Sequence, residues 1–544
     1  AREQGYKLEE TDAYLGLGYA YYYVNQNQMG IQNYETALII AIKQEYKFQE
    51  TRARLGLGDC YKSNSEKAAA IHHYETALVI ARGQKYKLEE TQAYLGLGNC
   101  YIFYNRDKAA AQQYKKALKI AIEQGYKLQE ARAYLDLGDY YKSNNMNESA
   151  IECYLACLKI ARKQGYKKEE IKANLELGNA FKSTNVNSTV SPVHYYVEAL
   201  GIAKEQGYQH LESQVQLVLG EYYRSDNQID KSIKHFEKAM EIARRLALQV
   251  RTGQGHKQLE AQAHFGLGHA YRCKNQNKEA IAQDKKALEI ASKLAGYNNE
   301  TLIQAHIQLG HTYRFDNQNQ NAFEHYEKAL EIASETGFKN EETQAHLQLG
   351  RMCRFDNKNQ RAIEHFEKAL KISSEQENKN QETQAYLELG YVYKSDNQNQ
   401  RAIEHFNNAL EIASENAYKN LEAQTYLGLG YLYRTNHQNY EATRNYEKAL
   451  EIASETGFKN EETQAHLELG RMCRFDNKNQ KALKHFEKAL NAASEQENNS
   501  EETQAYLELG YVYESNNQKQ RATEHFEKAL KISSEQENKD QETQ

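Results

Sequence analysis

The tetrad Leu15-Gly16-Leu17-Gly18 returns unchanged at residues 55–58 and again at residues 95–98. The last glycine of each copy, called here the marker glycine, can be followed through the whole chain. Successive markers lie 40 residues apart, except in the middle of the chain, where the spacings are 42, 48 and 42. A period of this length predicts stacked supersecondary units instead of one globular core. The 13 markers are Gly18, Gly58, Gly98, Gly138, Gly178, Gly220, Gly268, Gly310, Gly350, Gly390, Gly430, Gly470 and Gly510.

Residues 340–379 show what one repeat encodes. Asn340 precedes two glutamates that suit the first turn of a helix, where acidic groups meet the positive end of the helix dipole. We expect Asn340 to cap this first helix, helix A, which should run to about Phe355. The polar stretch 356–359 predicts a turn. A second helix, helix B, follows with apolar residues at helical spacing, and its Phe366 is expected to fill the space beside the small marker.

The residues that recur around each marker resemble those of the tetratricopeptide repeat family. In the third repeat they are Tyr94, Leu97-Gly98, Tyr101, Ala110, Tyr114 and Ala117. The chain departs from the family pattern because it has no tryptophan and because helix B lacks a closing proline and runs about six residues longer than in the 34-residue form. The 40-residue form is similar to that of Pins-like G-protein-signalling modulators, rapsyn and kinesin light chains. The resemblance implies an adaptor that holds peptide segments of partner proteins.

The predicted fold is all-α, a right-handed α-solenoid of about 13 tandem helix-turn-helix repeats. Both ends of the sequence match the interior of a repeat, so we expect an array that is cut at both ends, with any further domain outside this sequence. The expected organisation is the end of a preceding repeat at 1–7, repeats 1–5 at 8–209, a longer repeat 6 at 210–257, repeats 7–13 at 258–539, and the start of another repeat at 540–544.

The middle of the chain differs from its ends. Repeat 6 carries extra residues after Ala243, and repeat 7 has Asp284 where its siblings have Tyr or Phe. Because a carboxylate is costly to bury, we expect Asp284 to face solvent and to leave its slot underfilled. Residues 245–290 are therefore predicted to form a hinge or weak joint, which limited proteolysis should cut first.

The composition gives no support to several classes of function. No apolar run approaches the roughly 18 residues of a membrane span. The seven cysteines do not pair by spacing, which indicates a reducing, cytoplasmic location. No phosphate-binding loop, nucleophile elbow or zinc-protease motif occurs, most histidines recur at fixed repeat positions, and Cys153 and Cys157 alone make a poor zinc site. We expect no enzyme activity, no cofactor and no metal.

Helix A carries a face on which partner binding is expected. The residues six before, three before, one after and four after each marker fall within about an 80° arc, at 100° per residue. The family resemblance implies that this arc lines the concave groove of the array. We name these positions the −6, −3, +1 and +4 rows. The −3 row is apolar from Leu15 through Phe265 to Leu507, so the lysine-based clamp for a C-terminal carboxylate, known in this family, is not expected.

The +4 row is basic at ten of its 13 positions, although the net charge of the chain is −6. Its cations can attract carboxylates, and the glutamines of the −6 row can donate to and accept from a peptide backbone. We therefore expect an acidic partner segment, extended or helical. The alternative is that these cations are ordinary solvated residues paired with acids one turn away. The candidate partner-binding residues are Lys142, Lys182, Arg224, Arg272, Arg314, Arg354, Lys394, Arg434 and Arg474 in the +4 row, Gln304, Gln344, Gln384, Gln424 and Gln464 in the −6 row, and Arg351, Tyr391, Tyr431 and Arg471 in the +1 row.

These features predict a protein-interaction scaffold or adaptor. A second hypothesis is a partner-sensing or regulatory arm of a larger signalling or enzymatic protein, whose effector domain would lie outside this sequence. RNA binding by a helical-repeat protein is less favoured, because the net charge is negative and no clear two-residue code for bases is present.

Overall fold

The computed structural model describes residues 2–543, except residues 24–25, 65, 103–106, 145, 185–190, 250–253, 295–298 and 497. These described residues form 26 α-helices and no β-strand, which confirms the all-α fold. Every odd-numbered helix carries a marker glycine and is a helix A, and every even-numbered helix is a helix B. Thirteen helix-turn-helix repeats follow one another along the chain.

The helices have the following bounds: α1 (Arg2–Tyr23), α2 (Asn27–Lys43), α3 (Lys47–Ser63), α4 (Lys67–Gln84), α5 (Lys87–Ile102), α6 (Asp107–Gln124), α7 (Lys127–Ser143), α8 (Asn147–Gln164), α9 (Lys167–Thr184), α10 (Pro192–Glu205), α11 (Gln209–Ser225), α12 (Ile229–Gln249), α13 (Gln254–Cys273), α14 (Asn277–Lys293), α15 (Asn299–Phe315), α16 (Asn319–Thr336), α17 (Lys339–Phe355), α18 (Asn359–Glu375), α19 (Lys379–Ser395), α20 (Asn399–Glu415), α21 (Lys419–Thr435), α22 (Asn439–Thr456), α23 (Lys459–Phe475), α24 (Asn479–Glu495), α25 (Asn499–Ser515) and α26 (Lys519–Thr543).

The chain divides into two compact units, Ala1–Thr301 and Leu302–Gln544. In the first unit, α3 packs against α4, and α4 packs against α5 of the next repeat. In the second unit, α17, α18 and α19 repeat this order. Helices A of neighbouring repeats also contact each other directly, as α3 with α5 and α17 with α19 do. The rows of helix A are therefore adjacent from α1 to α9 in the first unit and from α17 to α25 in the second.

In every repeat except repeat 7, the core contains a helix B ring that packs on the marker glycine. A Cβ atom at Gly350 would lie 2.5 Å from Cε1 of Phe366, and one at Gly58 would lie 2.7 Å from Cε1 of Tyr74. Real Cβ atoms do not come this close, so the ring position requires a glycine on the facing helix. Phe366 is completely buried, and Leu389 of the next helix A belongs to the same apolar cluster. The expected packing of Phe366 is confirmed.

The predicted cap at Asn340 is wrong. Helix α17 begins one residue earlier, at Lys339, and its N-cap residue is Phe338, which forms no side-chain capping bond. The first turn is instead stabilised by an ion pair of 2.7 Å from Lys339 to Glu342. Side-chain caps of the expected kind do occur at Asn378, which precedes α19, and at Asn498, which precedes α25.

The expectation that Asp284 faces solvent is also wrong. Asp284 is completely buried, and its Oδ2 accepts a hydrogen bond of 3.1 Å from Nη1 of Arg272, whose side chain is only 5 % exposed. The carboxylate lies against marker Gly268, where the sibling repeats have a ring. A buried charge is tolerated when it is paired, and the slot is filled by this ion pair.

The weak joint at 245–290 stays a prediction. The extra residues of repeat 6 fall at the end of α12 and the start of α13, and residues 250–253 between these helices lie outside the described part of the chain.

Candidate partner-binding face

The +4 row lies in the last turn of helix A, where positive charge meets the negative end of the helix dipole. Arg354 and Arg434 occupy this place in α17 and α21. Their side chains are about one-third exposed, at 35 % and 36 %. Lys182 and Arg314 of the same row are exposed.

The +4 row is bonded to acids of the next repeat. Arg354 forms an ion pair of 3.2 Å with Glu388, and Arg474 forms one of 3.1 Å with Glu508. Lys142 pairs in the same way with Glu176, and Arg434 pairs with Glu468. In each case the glutamate stands two residues before the next marker, at a position called here the −2 row. The sequence analysis missed these glutamates as partners of the row.

Two arginines converge on one carboxylate in the second unit. Nε of Arg351 donates to Glu388 at 2.6 Å, and the same glutamate binds Arg354. Arg471 and Arg474 converge on Glu508 in the same manner, and Arg471 also pairs with Glu468. The in-chain acids therefore do not balance the cations. We call the following residues the basic face: Arg351, Arg354, Tyr391, Lys394, Tyr431, Arg434, Arg471 and Arg474.

Tyrosine rings of the +1 row lie beside the cations of the basic face. The Arg354 guanidinium is 5.5 Å from the centre of the Tyr391 ring, and Nζ of Lys394 is 5.0 Å from the centre of the Tyr431 ring. Both distances suit cation–π attraction. Burial raises the pKa of Tyr431 to about 12, and the carboxylate of Glu468 adds to this shift, so the phenol stays neutral. The rings give the basic face an apolar component.

The −6 row is partly engaged within the chain. Nε2 of Gln424 donates to Glu461 at 2.8 Å, and Nε2 of Gln384 donates to Asn380 at 2.8 Å. Gln464 reaches Glu501 at 3.4 Å. Gln304 and Gln344 are half-buried. The amides thus line the same helices as the cations, and several already bond to neighbouring side chains.

In repeats 2–5 of the first unit the +1 residue serves the core. The phenol of Tyr74 donates to Asp59 at 2.6 Å, and that of Tyr154 donates to Asp139 at 2.7 Å. Asn99 and Asn179 accept from Tyr114 and Tyr196 in the same way. Each tyrosine is the helix B ring that packs on a marker glycine. A polar +1 residue is therefore the acceptor for a nearly buried hydroxyl.

A cavity of 420 Å³ opens on the same helices of the first unit. Lys62, Asn99, Asp136, Asp139 and Tyr140 are among its lining residues, and we call these five the acidic face. Burial, together with the charge of the neighbouring Asp139, raises the pKa of Asp136 to about 7. Burial and Glu176 raise the pKa of Asp139 to about 6. The sequence analysis did not single out these carboxyls.

The remaining candidates of the +4 row do not belong to the basic face. Arg224 pairs with Glu221 of its own helix at 2.6 Å, as the alternative interpretation of the row predicted. Arg272 is buried with Asp284 and stabilises the core. Lys182 lines a second cavity, of 340 Å³, with Tyr196 and Phe236.

Histidines pair across helices A and B. Nδ1 of His346 lies 3.0 Å from Nδ1 of His365, and His466 and His485 repeat this distance. Burial lowers the pKa of His346 to about 4, and the charge of His365 lowers it further. Among the described residues, no group of three or more His, Cys, Asp or Glu side chains could hold a metal ion. None of the described helices is both long and apolar enough to cross a membrane.

Stacked helix pairs with rows of cations, amides and rings on helix A define a helical-repeat solenoid. The tetratricopeptide repeat family matches residues 259–335, 301–375, 341–415, 381–455, 421–495 and 461–535, and a second description of the same repeat matches residues 131–164 and 213–245. These matches cover more than half of the chain. The chain belongs to the tetratricopeptide repeat family, whose repeats are generally non-catalytic protein-binding units.

Solved structures with a similar fold are distant in sequence. Yeast Tom70 is 15 % identical, with 89 % of this chain and 92 % of that chain covered and a TM-score of 0.42. BtubC from P. vanneervenii is 21 % identical, with 42 % and 92 % covered and a TM-score of 0.38. The quorum sensor NprR from B. thuringiensis is 14 % identical, with 67 % and 99 % covered and a TM-score of 0.44. No curated protein sequence matches the chain.

Proposed function

We propose that the chain is a protein-interaction scaffold whose basic face binds acidic peptide segments, extended or helical, of partner proteins. The observation that carries this proposal is the surplus of cations. Five arginines of the basic face share three carboxylates, those of Glu388, Glu468 and Glu508, and no ion pair of the described residues includes Lys394, the sixth cation of this face. A face with unbalanced charge attracts the opposite charge, and its tyrosines can bury apolar parts of the same segment.

The location of this scaffold is proposed to be the cytoplasm. All seven cysteines are free, and Cys60, Cys100 and Cys157 are buried in the core. Burial raises the pKa of the Cys60 thiol to about 12, so it behaves as a small apolar group. Free cysteines in this number are typical of proteins in a reducing compartment.

The test uses a fluorescein-labelled peptide of alternating glutamate and alanine, with a glutamine–alanine peptide as its neutral counterpart. Fluorescence anisotropy should show binding of the acidic peptide only, and the affinity should fall as salt is added. The double variant Arg354→Gln/Arg434→Gln should bind about tenfold more weakly, because each change removes a charge-assisted hydrogen bond.

The matched control is Arg361→Gln/Lys481→Gln, which removes two exposed charges from helices B. This control should bind as the unmodified protein does. Equal losses in the two double variants, or equal binding of the neutral peptide, would reject the basic face as the binding site.

A further inference from the structure

The ion pairs of the +4 row follow a simple rule along the chain. Wherever a cation of the row is followed by a glutamate in the −2 row of the next repeat, the two are paired. This holds for Lys142 with Glu176, Arg354 with Glu388, Arg434 with Glu468 and Arg474 with Glu508. The −2 position is thus a place where helices A are built to hold a carboxylate.

Lys394 meets a different residue at that place. The next repeat has Gly428 in its −2 row, so the helix supplies no carboxylate there. Among the ion pairs of the described residues, none includes Lys394, whereas its neighbours Arg354 and Arg434 are both paired. Lys394 is the cation of the basic face that is left without an acid.

The surroundings of Lys394 are strongly positive. Nζ of Lys394 and the guanidinium of Arg434 lie over the same ring, 5.0 Å and 5.8 Å from the centre of Tyr431. Burial lowers the pKa of Lys394, and the charge of Arg434 lowers it further, while Glu468 opposes this shift and Arg354 adds to it. A half-buried cation crowded by another cation gains from a bound anion.

We propose that the position facing Gly428 is a socket for one carboxylate side chain of the bound segment, held by Lys394 and Arg434 over the ring of Tyr431. The partner's carboxylate takes the place that Glu388, Glu468 and Glu508 occupy in the neighbouring repeats. This proposal rests on the proposed function, because it fixes the register of an acidic peptide on the basic face. A glutamate or aspartate of the segment is anchored opposite Gly428, and residues on either side meet cations that are already paired.

The first experiment places a carboxylate of the chain itself in the socket. Gly428→Glu restores the −2 carboxylate, which should pair with Lys394 and lower the affinity for the labelled glutamate–alanine peptide about tenfold. Gly428→Gln has the same shape without the charge and should retain most of the affinity. Lys394→Gln should lose as much affinity as Gly428→Glu, and the double variant should lose no more than either single variant.

Folding of these variants is checked by thermal unfolding, since a Cβ at Gly428 would lie 2.8 Å from Cε1 of Phe406. Lys394→Gln does not touch this contact and tests the socket by itself. If Gly428→Glu and Lys394→Gln both bind the peptide as the unmodified protein does, the socket is overturned, while peptide binding by the rest of the basic face stands.

A second experiment separates the socket from the peptide. Lysines are reductively ¹³C-methylated, and the Lys394 signal is assigned by its loss in Lys394→Arg. Glutarate, a small dicarboxylate, should shift this signal in the unmodified protein and leave it unchanged in Gly428→Glu. If glutarate shifts the Lys394 signal but the acidic peptide does not bind, the proposed function is rejected and the anion socket stands. A Lys394 signal that ignores glutarate would overturn the socket.

Discussion

The acidic face of the first unit and the basic face of the second unit use the same positions of the repeat for opposite chemistry. At the +1 row, Asp139 accepts from the buried hydroxyl of Tyr154, whereas Arg351 has Phe366 as its helix B ring and donates to Glu388 of the next repeat. In repeats 2–5 the hydroxyl of the helix B ring therefore goes with a polar acceptor at +1. In repeat 9, where the ring is phenylalanine, Arg351 has no ring hydroxyl to bind and turns to the next repeat.

The largest expected effect tests what the two faces share. Tyr74→Ala and Phe366→Ala should each lower the local free energy of unfolding by about 4 kcal/mol, because each removes a buried ring that packs on a marker glycine. Hydrogen exchange should show the loss in the altered repeat and its neighbours. The control is Phe355→Ala, which removes an 81 % exposed ring and should change nothing. If the free energy of unfolding fell in only one of these two ring variants, the two faces would not share this packing.

A smaller effect tests where the faces differ. Asp59→Ala should cost about 2 kcal/mol, since it leaves the hydroxyl of Tyr74 buried without its acceptor. Tyr74→Phe in the same chain should recover most of that loss, because the orphaned hydroxyl is gone. Chemical denaturation of the unmodified protein, the two single variants and the double variant gives the coupling energy between Asp59 and the Tyr74 hydroxyl. Simple addition of the two single effects would show that the hydroxyl and the +1 row are not linked.

The ion pairs should contribute no more than this to the free energy of unfolding, and they should contribute unequally. Glu388→Gln should cost about 2 kcal/mol, because this 9 % exposed carboxylate holds both Arg351 and Arg354. Glu176→Gln should cost about 0.5 kcal/mol, because the carboxylate is 26 % exposed and binds Lys142 alone among the described ion pairs. Equal costs from thermal unfolding would contradict the difference between the two faces.

The last expected difference is in the response to pH. The pKa of Asp136 is raised from 3.8 to about 7, so its contribution to stability is present below pH 4 and is lost as the pH rises through 7. The pKa of His346 is lowered from 6.5 to about 4, so its contribution is present above pH 6.5 and is lost as the pH falls through 4. Acidification should thus strengthen repeat 4 and weaken repeat 9.

Hydrogen exchange between pH 4 and pH 7, corrected for intrinsic rates, measures these opposite slopes. Asp136→Asn should flatten the slope of repeat 4, and His346→Gln should flatten that of repeat 9. Slopes of the same sign in the two repeats would show that the shifts of these two groups do not govern local stability.

The packing of one repeat could be predicted from the sequence, because it depends on residues close along the chain. Phe366 packs on Gly350 from 16 residues away, and the period repeats this ring contact in the other repeats except repeat 7, where Asp284 takes its place. The prediction of a cap at Asn340 failed because the exact first residue of a helix is poorly defined by sequence. Phe338 occupies the N-cap position and forms no side-chain capping bond.

The bonds between repeats could not be predicted in the same way. Glu388 and Arg354 are 34 residues apart, and their meeting depends on the rotation of one helix A against the next, which no local pattern states. The prediction for Asp284 failed for a different reason: its partner Arg272 lies in the same repeat but belongs to the row that was assigned to the groove. One signal was present in the sequence: Asp or Asn one after the marker accompanies Tyr in helix B, as in Asp59 with Tyr74.

The ion pairs between neighbouring repeats set a rule for how such an array can be rearranged. The cation of a pair lies in helix A of one repeat and the acid lies in helix A of the next, so the two residues that form a junction come from different repeats and must match. Residues 335–340 recur at 455–460, and the junction of Arg354 with Glu388 recurs as that of Arg474 with Glu508. Duplication of several repeats as one block preserves every junction inside the block. Shuffling of single repeats joins unmatched residues, so the order of the repeats is itself inherited information.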